Sequence, residues 1–188
     1  VDVMLSEDTP AQEPFTLRFT WNSLGDETVS TVVDLLIEAE PDHNWEASFS
    51  QGLNHQVTPS ESINLDYQVI NTGNAMDDLV VKPIFEVTYF GQDDSIWQAE
   101  EMNFSNIEVN ESVSMQLQFA TPVDAWAGTT ADLTLQLFSD DLLVDNISLT
   151  FNVIQVSGWK LNISDTNLII NPDGQNLTLN VEHLGNLA

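Results

Sequence analysis

Apolar and polar residues alternate with a period of two along most of the chain. Trp45, Ala47 and Phe49 share one phase, as do Ile63, Leu65, Tyr67 and Val69, and then Val113, Met115, Leu117 and Phe119. Leu133, Leu135 and Leu137 follow, then Ile147, Leu149, Phe151 and Val153, and near the end Leu177, Leu179 and Val181. Such runs predict strands with one buried face. Clusters of turn formers (TPSE, NTGN, GQDD, TPVDAWAG, SDD and NPDG) separate them. No helical stripe runs through the chain, so the expected fold is all-β, an antiparallel sandwich of about seven strands per unit. The segment LVVKPIFEVTYF, 79–90, contains Pro83. Proline cannot donate to a ladder, so this strand is expected at an edge or a bulge.

A second pattern lies over the first. VTPSESINLDYQVINTGN (57–74) and INPDGQNLTLNVEHLGN (170–186) repeat one phrase: apolar-polar-proline, a polar turn, alternation, then Gly-Asn. Trp45 precedes the first copy and Trp159 the second, 114 residues apart; Pro59 and Pro172 are 113 apart, and Gly73 and Gly185 are 112 apart. A period near that length suits one whole sandwich of the immunoglobulin type, roughly 100 residues. The expected organisation is therefore tandem, one complete unit flanked by two partial ones. Residues 1–42 are read as the end of a preceding unit, 43–156 as a complete immunoglobulin-like sandwich, and 157–188 as the start of a following one. FTLRF (15–19) resembles MQLQF (115–119), although the stretch to the repeated tryptophan, Trp45 or Trp159, is about 14 residues shorter in the first case. Physics gives the repeated positions a structural role. Gly73 and Gly185 are expected to supply a positive φ, Asn74 and Asn186 to tolerate the left-handed region beside them, and Trp45 and Trp159 to cover one end of a core.

Composition narrows the partners. Thirty acidic residues face three basic ones, Arg18, Lys82 and Lys160, for a formal charge of −27. Such a surface repels nucleic acid and anionic membranes, because phosphates are bound chiefly through Lys and Arg. Cysteine is absent, which excludes disulfides, thiolate zinc sites and cysteine nucleophiles. No stretch reaches the ~20 apolar residues that a spanning helix needs. The opening VDVMLSEDTP lacks signal-peptide character, so any export signal or anchor is expected outside this stretch.

The turn VINTGNAMDD (69–78), followed much later by FATPVDAWAGTTADLTLQL (119–137), resembles the CARDB-like immunoglobulin-fold repeats of archaeal and bacterial surface proteins. In the second copy the pattern departs at HLGNLA, where His183 replaces the first Asn. The resemblance implies an extracellular, non-enzymatic module of a stalk, surface layer, filament or adhesin. It implies no catalytic residues.

Candidate chemistry is sparse. His43, His55 and His183 lack partners at metal-ligand or triad spacing, and no nucleophile elbow, zincin, phosphate-loop or EF-hand motif occurs. No cofactor is expected, with calcium as the one candidate ion. Hard oxygen ligands for it exist at Asp77, Asp78, Asp93, Asp94, Asp140 and Asp141, with Asp145 nearby. The plainer reading of these is solvated turn residues. Glycosylation motifs occur at Asn103, Asn110, Asn146, Asn162 and Asn176, the last three on the polar phase of their strands. Trp21, Trp97 and Trp126 lie outside the repeat. An exposed pair, Trp97 with Trp126, defines the alternative of a carbohydrate-binding or other ligand-binding accessory module; packing in the core or at an edge is the plainer reading. The expected partners are neighbouring immunoglobulin-like domains or copies of the same chain, and surface glycans. Unfinished sheets at both ends are templates for another chain, which keeps a head-to-tail surface filament in view.

Overall fold

A computed structural model describes residues 3–6, 9–11, 13–26, 28–163 and 179–186. Two strands open the chain as a hairpin, β1 (Phe15–Asn22) and β2 (Ser30–Ile37). Eight more build the centre: β3 (Trp45–Phe49), β4 (Asn54–Val57), β5 (Ser62–Asn71), β6 (Asp77–Thr88), β7 (Met102–Ile107), β8 (Ser112–Ala120), β9 (Thr130–Ser139) and β10 (Leu142–Val153). A second hairpin, β11 (Trp159–Ile163) with β12 (Leu179–His183), follows.

The predicted alternation becomes two facing sheets. One has the order β3-β5-β8 and the other β4-β10-β9-β6-β7. Their inward phases meet in one core in which Val69, Leu79, Val81, Leu133, Leu135, Leu137 and Phe151 are wholly buried. Phe85, Phe119 and Phe151 cross it in edge-on contacts, with centroids 5.3 Å apart for Phe85 and Phe119 and 5.2 Å for Phe119 and Phe151. The chain is thus an all-β sandwich protein. Asp140 and Asp141 form the two-residue loop between β9 and β10, with φ of 46° and 63°. Positive φ at both loop positions is what a tight hairpin of this twist requires.

Three expectations need amendment. The central sandwich has eight strands, because the short NHQV segment pairs as β4, and it does so in parallel with β10, Asn54 opposite Thr150. Pro83 lies within the five-stranded sheet, opposite Leu135 of β9, but beyond Val81, where the pairing of β6 with β7 ends. Its missing N–H therefore falls where β6 is bonded on one side only, the local equivalent of the edge position expected for it. Finally, FTLRF does not stand where MQLQF stands. MQLQF lies in β8, whereas FTLRF opens a hairpin whose second strand leads into the segment before Trp45. That is the place of β9, which pairs with β10 before the segment leading to Trp159. With FTLRF set against ADLTL (131–135), the apparent shortfall of about 14 residues disappears.

Candidate functional site: two equivalent junctions

The repeated Gly-Asn closes a junction, and it does so twice. At the first, the Asn74 side chain accepts a hydrogen bond at Oδ1 from the Asp42 N–H (2.7 Å) and donates from Nδ2 to the carbonyls of Glu40 and Thr9, both at 3.1 Å. Its backbone N–H donates to the Asp42 carbonyl (3.2 Å) and its carbonyl accepts from Ala11 (2.9 Å). At the second, Asn186 Oδ1 accepts from the Val156 N–H (2.7 Å), and Nδ2 donates to the carbonyls of Ile154 (2.9 Å) and Ala125 (3.5 Å). Its backbone N–H donates to the Val156 carbonyl (3.3 Å) and its carbonyl accepts from Ala127 (3.0 Å). A further bond matches as well: Thr72 donates to Asn44 as Leu184 donates to Gly158, each at 2.9 Å. One asparagine thus ties three segments together, its own turn, the linker, and the turn before the preceding hairpin. The linker is recognised through peptide groups alone, so EPD at 40–42 and IQV at 154–156 are held alike.

The glycine beside it serves close approach. Neither Gly73 nor Gly185 has a positive φ, contrary to the expectation from sequence, and neither Asn74 nor Asn186 is in the left-handed region. A Cβ on Gly73 would lie 2.1 Å from the Asp42 carbonyl oxygen, and one on Gly185 would lie 2.6 Å from that of Val156. The same linker carbonyl presses on both.

No family model and no curated protein matches the chain.

The two junctions differ in what surrounds the clamp. Asn71 is fully buried and donates from Nδ2 to the carbonyls of Ala75 (2.8 Å) and Ile107 (3.0 Å), while its Oδ1 accepts from Gly73 (3.0 Å). His183 replaces it at the second junction and packs its ring on Trp159 at 4.7 Å. Trp45 is 5% exposed and donates from Nε1 to Asp77 Oδ2 at 2.9 Å. Trp159 is 71% exposed on the second hairpin, whereas Trp45 takes the expected place at one end of a core.

Asp77 anchors the first junction. Its carboxylate accepts from Ser139 Oγ (2.7 Å), Trp45 Nε1 and His43 Nδ1 (3.1 Å), and His43 Nε2 lies 3.7 Å from Asp140. Burial alone would push the Asp77 carboxyl up, but the donors Ser139, Trp45, His43 and the Asp78 N–H together hold it below the ordinary carboxylate value. A serine, a histidine and an aspartate meet here, yet in the wrong order for nucleophilic catalysis. Ser139 Oγ donates to the carboxylate at 2.7 Å, and His43 Nδ1 lies 3.1 Å from both that hydroxyl and the carboxylate, so the carboxylate and not the imidazole takes the serine proton. The cluster fastens the His43 end of the linker to the sandwich.

The other candidate residues have structural roles or open positions. Asp93 is buried and caps two loops, accepting from the N–H groups of Ser95 and Trp126, each at 2.9 Å, and from Thr129 Oγ1. Burial pushes its carboxyl up; the Thr129, Ser95 and Trp126 donors outweigh that and hold it below the ordinary value. Asp78 accepts from the Asn106 N–H at 2.7 Å, and Asp94 is exposed. Among the described residues no group of three or more His, Asp or Glu side chains is set to hold an ion. Asn103, Asn110, Asn146 and Asn162 are all exposed; Asn176 and Pro172 lie outside the described residues. Pro59 lies in a turn closed by Glu61, whose carboxylate accepts from the Thr58 N–H at 2.7 Å. Trp97 is buried against Phe85 and Phe119, and so offers no stacking face. Trp126 folds its ring over Gly91, where a Cβ would come within 2.7 Å of it. It also edges a cleft of about 640 Å³ at the second junction, shared with Pro59, Val123 and Leu184.

Proposed function

We propose that the chain is a non-enzymatic spacer, part of an extracellular tandem array of immunoglobulin-like sandwiches that serves as a stalk or surface filament. The observation that carries this reading is the equivalence of the two junctions. Matching hydrogen bonds hold the linker and the preceding turn at both, so each unit is set on its predecessor in one orientation. A molecule whose work is distance and shape needs fixed joints more than it needs pockets. The resemblance of VINTGNAMDD and FATPVDAWAG to CARDB-like repeats supports the same reading, and so do the four exposed glycosylation motifs. The dispersed negative charge keeps such an array extended and away from anionic surfaces.

Small-angle scattering on the chain and on an Asn74→Ala, Asn186→Ala double variant tests the proposal. The spacer reading expects one elongated particle for the parent, and for the variant a broadened distribution of interatomic distances with unchanged strand content. Equal, articulated profiles for both would overturn it.

A further inference from the structure

Four strands end the two sheets of the central sandwich, and three of them are short or irregular. β3 has five residues and β4 four; β7 has six, its pairing with β6 slips between Asp77 and Leu79, and Asn106 within it takes a φ of 59°. β8 is different. It runs for nine residues, SVSMQLQFA, in unbroken register with β5, and it holds no proline, glycine or charged side chain. Short strands, bulges, prolines and charges are what usually keep an edge from pairing, and β8 has none of them. It stands across its sheet from β3, the strand that the first linker enters, and among the described residues it pairs with β5 alone.

The peptide groups left over on β8 follow from the ladder. Thr121 donates to Glu61 (2.9 Å) and Asn71 to Glu111 (3.1 Å), one pair beyond each end of the β5–β8 register. Alternate pairs of an antiparallel ladder exchange bonds, so Val113, Met115, Leu117 and Phe119 direct their N–H and C=O groups to β5, and those of Ser114, Gln116 and Gln118 point away from it. All three of these residues are exposed. The peptide groups of the segment 96–100 take no backbone partner among the described residues either. A groove of about 640 Å³ lies between that segment and β8, lined by Ile96, Gln98, Ala99 and Glu100 on one side and by Gln118 and Phe119 on the other.

Charge selects what can enter. Glu100 lines the groove and Glu101 follows it, both exposed, and Asp66 on β5 accepts from Gln116 Nε2 at 3.1 Å. The basic residues are elsewhere: Arg18 and Lys160 on the hairpins, and Lys82 over the Phe138 ring on the other sheet. A formal charge of −27 sets one copy against another, so repulsion guards this edge against self-pairing and at the same time draws cations to it.

We propose that the outer edge of β8 binds an extended segment of another protein in which basic and apolar residues alternate, by antiparallel strand addition. Segment residues opposite Ser114, Gln116 and Gln118 exchange hydrogen bonds with them and hold their side chains on the outer face, where lysine or arginine meets the field of Asp66 and Glu100. The residues between turn inward, towards Phe119 and Ala99, and are apolar. The site lies within the central unit, so its binding can fail while the scattering result stands.

Titration of the full chain with a decapeptide alternating lysine and valine, followed by calorimetry and by amide hydrogen exchange, tests the proposal. Binding is expected, weaker as salt rises, with exchange slowed at Ser114, Gln116 and Gln118. The same peptide N-methylated at its lysines keeps its charge but loses the bonds to β8, and should not bind. Gln118→Pro removes one outward N–H at an edge position where proline is tolerated, and should weaken binding about tenfold. Glu100→Gln combined with Glu101→Gln should weaken it too and flatten its salt dependence. Absence of binding overturns the proposal, as does equal binding of the methylated peptide, protection that falls elsewhere, or a folded Gln118→Pro variant that binds like the parent. So does self-association of the chain through this edge without peptide. The comparison of the two peptides uses the unaltered chain, and so decides the matter even where a variant fails to fold.

Discussion

Gly73 and Asn74 show how a turn signal can be read correctly for place and wrongly for reason. Glycine followed by asparagine suggests left-handed backbone, and sequence alone cannot reveal that another segment's carbonyl lies where a Cβ would go. Gly73→Ala should therefore cost about 1–3 kcal/mol, the usual range for forcing an atom into a packed space, in a chemical denaturation experiment. Gly52, which has open space around it, should accept alanine with little change. The partners of Asn74 were illegible for a related reason. It binds peptide groups, and peptide groups leave no mark on side-chain identity. Asp77 and Asp93 were visible as acidic turn residues, but not the donors that the fold gathers around them. Both carboxyls are held below the ordinary carboxylate value in the folded chain. A depressed carboxyl contributes stability above its unfolded value and loses it as pH falls through the folded value. Stability should hold from neutral pH to about pH 4 and fall away below it. Asp93→Asn should be less stable at pH 7 by about 1–3 kcal/mol, from mispaired buried donors, and should show a shallower acid limb in thermal melts recorded from pH 7 to pH 2.

At the scale of elements, long alternating runs were legible and short pairings were not. β5, β8, β9 and β10 stand out because nine or more residues keep one phase. β4 has four residues, too few for a period to declare itself, and its parallel partner lies almost a hundred positions away. The segment from Asp93 to Ala99 alternates as a strand does, yet it belongs to no ladder. Its buried phase, Asp93, Ser95 and Trp97, closes the sandwich by hydrogen bonds and packing. Trp97→Ala should cost about 3–5 kcal/mol, as large aromatic truncations in cores do. Trp21→Ala, at a side chain 54% exposed on the first hairpin, should change the unfolding free energy of the central sandwich by no more than about 0.5 kcal/mol. Paired thermal unfolding curves at low protein concentration separate the two cases.

For the whole molecule the governing fact is a charge of −27. Self-repulsion of that kind is relieved by any salt, and the described residues gather no ion-holding group. The melting temperature should rise with sodium chloride, and calcium chloride matched in ionic strength should add nothing beyond it; calorimetry with and without a chelator checks this. The clamps bear on a different property of the proposed array, its response to tension. A pull along the chain reaches the second linker through Ile154, whose N–H is held by Val57, and through Val156, whose N–H and carbonyl are held by Asn186, as those of Asp42 in the first linker are held by Asn74. Those bonds must yield together before the segment can lengthen. The joints therefore have no slack to give, and a load passes from unit to unit without first drawing out a loose tether.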